Sequence, residues 1–237
     1  MKIFKDAINE LLSRDWIGRC DFHTHSFLSD GVLLPIEQFR RACVLCHDAY
    51  AITDHVGAGN FDVIEKVKQD CLLAIKQWGI VALPGVELTH VPAMEIPRLA
   101  QEAREKGALI VVVHGETINE PVEPGTNLSA VKSKEVDILA HPGMLTKQEA
   151  NLCRKNNIFV ELTSNKSHIA TNGHVVAIGR EAKVKFIQNT DTHKPDDMLT
   201  YNQSKQILLG AGLSTEEIEK VLQNNVRDFL TKISNRL

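Results

Sequence analysis

A short apolar run that ends in His, Asp or Glu, followed by a stretch of helical periodicity, recurs seven times along this chain. The runs occupy residues 18–22, 49–52, 80–83, 109–113, 136–140, 158–160 and 185–188. Short runs of β-branched and apolar residues read as buried parallel strands. The intervening stretches, 35–46, 61–78, 95–106, 146–155, 173–182, 195–209 and 214–232, carry apolar residues at helical spacing. Pro35 suits a first helical residue and Gly107 a helix end. Thr146 with Glu149, and Ser214 with Glu217, have the spacing of capping boxes. Strands alternating with helices imply right-handed crossovers and a parallel sheet. Seven such strands can close into an α/β barrel of TIM-like form, one strand short of eight. An open doubly wound sheet is the alternative.

The chain length of 237 residues suits one barrel domain spanning 1–237. Hydrophobic residues make up 43%, enough to fill its core. The 27 basic and 30 acidic residues give a net charge of −3, and no Lys/Arg run stands out. That argues against a dedicated nucleic-acid binder. The first residues, MKIFKDAINELLSRDW, place Asp6, Glu10 and Asp15 among helically spaced apolar positions, which is not a signal peptide. No run reaches the ~18 apolar residues of a membrane span. The expectation is a soluble, cytoplasmic protein with no membrane partner. Five cysteines, an odd count, argue against a disulfide framework. Cys43-Val-Leu-Cys46-His47 has the spacing of covalent haem attachment, but it falls inside the 35–46 helix, where the thiols read as buried packing groups.

A barrel gathers the C-terminal ends of its strands on one face, where sites of this architecture are built. Six of the ten histidines fall at such ends: His23, His25, His55, His114, His141 and His193. Asp30, Glu87, Glu161 and Asp191 accompany them. Alternation along a strand sends His23 and His25 to the same face. A lone histidine at a strand end is usually a hydrogen-bonded structural residue, so the weight lies in the set. Mixed imidazole and carboxylate donors without cysteine suit Zn, Mn or Fe. The donors outnumber the four of one tetrahedral zinc, which points to two or three divalent ions sharing a carboxylate. Paired ions of this kind clamp the oxygens of a phosphoryl transfer and lower the pKa of a bound water.

Asp21-Phe22-His23-Thr24-His25, Ser29-Asp30-Gly31, Ile52-Thr53-Asp54-His55, Gly85-Val86-Glu87, Val113-His114-Gly115, Ala140-His141-Pro142 and Asn189-Thr190-Asp191-Thr192-His193 resemble, in order, the motifs of the PHP (polymerase and histidinol phosphatase) family. The likeness runs from about residue 18 to 200 and is strongest to its small stand-alone, histidinol-phosphatase-like members. It implies a distorted seven-stranded (β/α)7 barrel and a trinuclear centre that hydrolyses phosphoesters by a metal-activated hydroxide. Carried over, His23, His25, Glu87 and Asp191 hold one ion. Glu87, as a bridge, joins His114 and His141 on a second, and Asp30, His55 and His193 hold a third. Some members have His where this chain has Asp30. Asp191, His193 and Glu87 are the residues expected nearest the chemistry.

The loop from Thr163 to His168 should overhang the site, so Lys166 and His168 are candidates for binding substrate phosphate, against a solvated loop. Glu116 and Glu120 lie on a loop long enough to shape specificity. His90 and His174 read as rim or capping residues and Glu161 as a group that orients a ligand histidine. The leading function is a phosphatase acting on a small phosphorylated metabolite. The rivals are a phosphodiesterase or nuclease with the same ions, a metal-dependent amidohydrolase, and a scaffold built on a decayed barrel. Two Trp and two Tyr give little for single strands to stack on.

Overall fold

Each apolar run becomes a strand because its side chains are buried on both faces, against the barrel interior and the surrounding helices. The computed structural model describes residues 1–237. In chain order the strands are β1 (Arg19–Asp21), β2 (His47–Ile52), β3 (His55–Val56), β4 (Val81–Leu88), β5 (Ile110–His114), β6 (Ile138–Ala140), β7 (Phe159–Thr163) and β8 (Phe186–Asn189). They pair in parallel in the order β1-β2-β4-β5-β6-β7-β8, and β3 adds two residues against the end of β4. The ends of that path meet where Thr24 bridges Thr192, where His25 N–H donates to the Thr192 carbonyl at 2.8 Å, and where Asp191 N–H donates to the His23 carbonyl at 2.9 Å. The result is a nearly closed barrel of seven parallel strands with alternating helices, and the open sheet is set aside.

The helices are α1 (Lys2–Leu12), α2 (Pro35–Val44), α3 (Val63–Trp78), α4 (Ile96–Glu105), α5 (Thr126–Lys132), α6 (Lys147–Asn156), α7 (Asn172–Ala182), α8 (Tyr201–Gly210), α9 (Thr215–Glu219) and α10 (Asn225–Arg236). The capping boxes at Thr146 and Ser214 are both formed. No helix is long and apolar enough to cross a membrane. Helix α1 buries Phe4, Ile8 and Leu11, one stripe at helical spacing, and packs against α10. The buried Asp137 carboxylate, just before β6, sits among Arg104 of α4 and Lys232 and Arg236 of α10, the latter two at 3.0 Å.

Several sequence expectations need correction. Helix α2 stops at Val44. Cys46 takes a left-handed φ of 58° and His47 already opens β2, so the Cys-x-x-Cys-His segment is a helix-to-strand turn. Cys46 is exposed and Cys43 half-buried, so they are not a pair of packing thiols. Pro195 begins only a single 3-10 turn, and α8 starts at Tyr201 behind a Thr200–Gln203 capping box. Strand β4 runs on to Leu88, which puts Glu87 inside it rather than beyond it. Glu161 is likewise mid-strand in β7. Helix α5 is a further helix, between β5 and β6, outside the seven stretches of helical spacing.

Candidate metal centre

All nine residues expected as ligands converge at the C-terminal end of the barrel. His23 follows β1 and is fully buried, and its Nε2 lies 3.1 Å from His25 Nε2 and 3.1 Å from Glu87 Oε1. His25 Nε2 lies 3.0 Å from Asp191 Oδ1. Glu87 is the hub: Oε1 also lies 3.6 Å from His141 Nε2, while Oε2 lies 2.7 Å from His55 Nδ1 and accepts the Thr89 hydroxyl at 2.9 Å. Asp30 reaches His55 Nε2 and His193 Nε2, each at 3.3 Å. His193 is held from behind, its Nδ1 2.9 Å from the Asp191 carbonyl. His114 departs from the expected grouping. Its Nδ1 is 3.1 Å from the Gly115 carbonyl, and its Nε2 faces Glu120 Oε2 at 3.1 Å rather than Glu87.

Five sets of ligand-type atoms, each within 4.8 Å of one another, follow: His23/His25/Asp191, His25/Asp30/His55/His193, His114/His141/His168, His23/His141/Glu161 and His90/His114/Glu120. Separations of 3 to 4 Å between donors are edge lengths of a coordination shell whose bonds are about 2 Å. One buried oxygen of the set, Glu87 Oε1, is also left without a hydrogen-bond partner. A buried polar atom without a partner costs about 1–3 kcal/mol, and a cation among the carboxylates would remove part of that cost. The donor set therefore fits divalent cations.

The backbone is shaped to deliver these groups. His141 and Asp191 hold left-handed φ values of 24° and 55°, uncommon for residues with a Cβ and typical of functional sites. Glu161 fixes two ligand segments. Its carboxylate accepts from His23 Nδ1 at 2.8 Å, Asn189 Nδ2 at 2.9 Å and the His141 N–H at 3.0 Å. Asp54 accepts the Ser26 N–H and the Ser26 and Ser29 hydroxyls at 2.6–2.7 Å, which anchors the loop carrying Asp30.

The charges follow from this packing. Burial alone would lower the His23 pKa, but Glu161, Glu87 and Asp191 outweigh it and raise it well above the usual value. His25 is taken down to about 4 by burial and by neighbouring His55. Burial opposes ionisation of Asp191, but His23, His25 and His141 hold its carboxyl well below the usual range. Burial and nearby His141 lower His168 to about 4. The His114 contact, ahead of the opposing burial, brings Glu120 down to about 2.

Over the site lies a cavity of about 320 Å³ lined by Asp30, His55, Glu87, Thr89, His114, Glu120, Asn165, Ser167, His168, Asp191 and His193, with no apolar, Lys or Arg side chain. His168 is on this wall, and Lys166 is not: it is exposed and lines a neighbouring depression with Lys194. Glu116 also turns away, accepting the Gly125 and Asn127 N–H groups at 3.0 and 2.9 Å to close its own loop. His90 lies 2.9 Å from Glu120 at the rim, and His174 Nε2 lies 2.9 Å from the Leu145 carbonyl, outside the site. Sequence reasoning missed Asn165, which donates to Asp191 Oδ2 at 2.9 Å, and the grip of Glu120 on His114. Loop residues of this kind carry no periodic signal.

No family model matches the chain. Over 217 residues it is 48% identical to the Uncharacterized protein MJ1295 of Methanocaldococcus jannaschii, covering 91% of this chain and 100% of that protein. The chain belongs to the family of that archaeal protein. It is also 28% identical to the DNA polymerase/3'-5' exonuclease PolX of Bacillus subtilis, over 95% of this chain but 44% of the longer protein. Among solved structures, a chain of archaeal ribonuclease P bound to mature tRNA matches with a TM-score of 0.70 at 13% identity, covering 92% of this chain and 93% of that one. The histidinol phosphate phosphatase of Lactococcus lactis, solved with zinc, L-histidinol and phosphate, matches with a TM-score of 0.57 at 12% identity, covering 84% of this chain and 95% of that one. At these identities the likeness is one of fold, the barrel.

Proposed function

We propose that this protein is a PHP-type, metal-dependent phosphoesterase that hydrolyses a small phosphomonoester. The observation that carries the reading is the convergence of nine ligand-type side chains, from seven places in the chain, at one end of the barrel, with four of the imidazoles around the Glu87 carboxylate. The barrel held in common with a histidinol phosphate phosphatase solved with zinc supports it. His23, His25, Glu87 and Asp191 would hold one divalent ion, His114 and His141 with Glu87 a second, and Asp30, His55 and His193 a third. Such ions would supply a nucleophilic water of lowered pKa and neutralise charge on the phosphoryl oxygens.

The chain's own groups do the rest. Asp191, held ionised by its imidazole neighbours and steadied by Asn165 at 2.9 Å, would help hold the first ion and accept a hydrogen bond from the attacking water, while the leaving alkoxide would take its proton from water. His193, gripped through Nδ1, keeps Nε2 facing Asp30 and the cavity. A cavity of about 320 Å³ with a wholly polar wall suits a small hydrophilic ester. Without Lys or Arg on that wall, recognition of phosphate falls to the ions, with Asn165 and Ser167 as hydrogen-bond partners.

The test is phosphate release by Mn²⁺-reconstituted protein across sugar, amino-alcohol and nucleotide monophosphates, with His25→Ala and Asp191→Ala alongside. Release from a few members, blocked by chelator and abolished in both variants, is the expected result. Undiminished turnover in either variant would sink the assignment. One observation favours a second reading, a 3'-5' exonuclease-like phosphodiesterase: the 28% identity to PolX across 95% of the chain. Silence on every monoester with cleavage of short oligonucleotides would decide for it.

A further inference from the structure

His168 lies five residues beyond the end of β7, yet it is only 5% exposed while Lys166 beside it faces solvent. Two loops fix it. Its Nδ1 lies 2.8 Å from the Thr117 hydroxyl, and the Asn119 amide donates to the carbonyl of Ser167. From its own loop, the His168 N–H donates to the Asn165 carbonyl at 3.0 Å. The ring stacks on His141 with centroids 4.3 Å apart at 25°. Ring nitrogens of His114, His141 and His168 therefore lie within 4.8 Å of one another.

We propose that His168 is a further protein ligand of the second ion, completing a three-imidazole set with His114 and His141 beside the Glu87 carboxylate. The inference rests on the metal-dependent reading above and adds to it a residue outside the nine. Its physical basis is the orientation of the ring. A ligand histidine has one nitrogen tied to a hydrogen-bonding group and the other free towards the ion. Thr117 supplies that tie, and Nε2 is left facing the His114 side of the cavity, with Glu120 Oε1 at 3.5 Å. When Nδ1–H donates to the Thr117 oxygen, Nε2 presents a lone pair, which attracts a cation and repels a phosphate oxygen. When the Thr117 hydroxyl donates instead, Nε2 carries hydrogen and serves an anion. The two roles therefore differ in what His168 does to metal content. A site with three neutral imidazoles and one carboxylate favours zinc, cobalt or iron over magnesium.

The experiment uses the full chain reconstituted with Co²⁺ and compares wild type with His168→Ala, Thr117→Val and Lys166→Ala. Metal per chain is counted after gel filtration, and affinities are measured by chelator competition. Melting of the metal-free proteins checks folding. His168→Ala should lose one ion or bind it at least about tenfold more weakly, and Thr117→Val should weaken the same ion less. Lys166→Ala should match wild type. Anomalous scattering should place an ion about 2.0–2.1 Å from His168 Nε2. Wild-type metal content and affinity in His168→Ala, with only KM raised, would overturn the proposal and make His168 a substrate contact. If His168→Ala fails to fold, unchanged affinity in Thr117→Val together with no ion at Nε2 overturns it as well. Wild type that retains no ions would overturn the metal-dependent reading itself, an outcome distinct from either.

Discussion

Replacing Glu161 by Gln changes two atoms' chemistry without changing shape, and the structure sets what that should cost. The carboxylate is fully buried and faces only donors: His23 Nδ1 and Asn189 Nδ2 on Oε1, and the His141 N–H on Oε2. An amide has one acceptor and one donor end. With its oxygen at Oε1, the NH₂ opposes the His141 N–H; flipped, it opposes both His23 and Asn189. The first arrangement costs less and still leaves a buried donor unpaired, worth about 1–3 kcal/mol. For a chain of this size that corresponds to a fall in Tm of roughly 2–12 °C in the metal-free protein. His23 also loses the anion that holds its Nδ1–H and strengthens its Nε2 as a ligand. Loss of such a partner lowers metal affinity about 10–100-fold. Melting of metal-free protein reads the first effect, and chelator competition on the reconstituted protein reads the second. Affinity within twofold of wild type, at a reduced Tm, would refute the assignment of Glu161 as an orienting group and leave it a packing residue.

Two further outcomes follow from groups away from the ligands. Asp137→Asn leaves Arg104, Lys232 and Arg236 clustered around a neutral side chain, and breaking a buried pair in this way costs about 3–5 kcal/mol. Burial opposes ionisation of Asp137, but those three cations hold its pKa below the usual value. Its contribution is therefore present above the unfolded carboxyl pKa of about 3.9 and lost as pH falls through the lower folded value. Melting curves should show wild type losing stability below about pH 4 and Asp137→Asn losing less there; parallel acid curves would refute it. Gly143 holds φ 61°, and a Cβ there would lie 1.9 Å from the Glu116 carbonyl oxygen. Gly143→Ala should lower stability by at least about 1–3 kcal/mol, and an unchanged Tm would show that the 115–125 loop gives way freely.

What the sequence discloses here follows periodicity. Parallel strands buried on both faces are continuous apolar runs, so seven of them, and the polar residue that ends most of them, can be read without a structure. Short-range signals such as Thr146 with Glu149 and Ser214 with Glu217 are equally legible because a cap involves residues three apart. Thr200 with Gln203 carries the same signal and marks the true start of α8, which Pro195 obscures. Cys46 illustrates the opposite case. A residue with a Cβ that adopts a left-handed φ ends the helix where composition favours continuation. Loops lack any period, so the sequence places Lys166 and His168 together while the fold turns one to solvent and buries the other. The approach of Glu120 to His114 depends on where an eleven-residue excursion, 115–125, lays its side chains, and only tertiary contacts settle that.

The carboxylates of the barrel mouth sort themselves by the partners they keep. Asp54, Glu116 and Glu161 accept N–H and O–H groups supplied by the protein, and each pins a loop or a ligand segment. Their oxygens are therefore already engaged by donors of the protein. Glu87, Asp191 and Asp30 are different, because each has several imidazole nitrogens 2.7–3.8 Å away. Imidazoles so close to one another cannot all carry protons: His25 is pushed down to about 4 by burial and by His55 even as His23 is pushed up. Protons therefore balance this cluster poorly, and two ring nitrogens 3.1 Å apart gain more from a shared cation than from each other. The same crowding couples stability to metal. An ion present at a hundred times its Kd adds about 2.7 kcal/mol, comparable to the cost of the unpaired Glu87 oxygen it would relieve. On the proposed function, ion binding and folding draw on neighbouring side chains, which is why substitutions at Glu161, buried away from the cavity, should register in both.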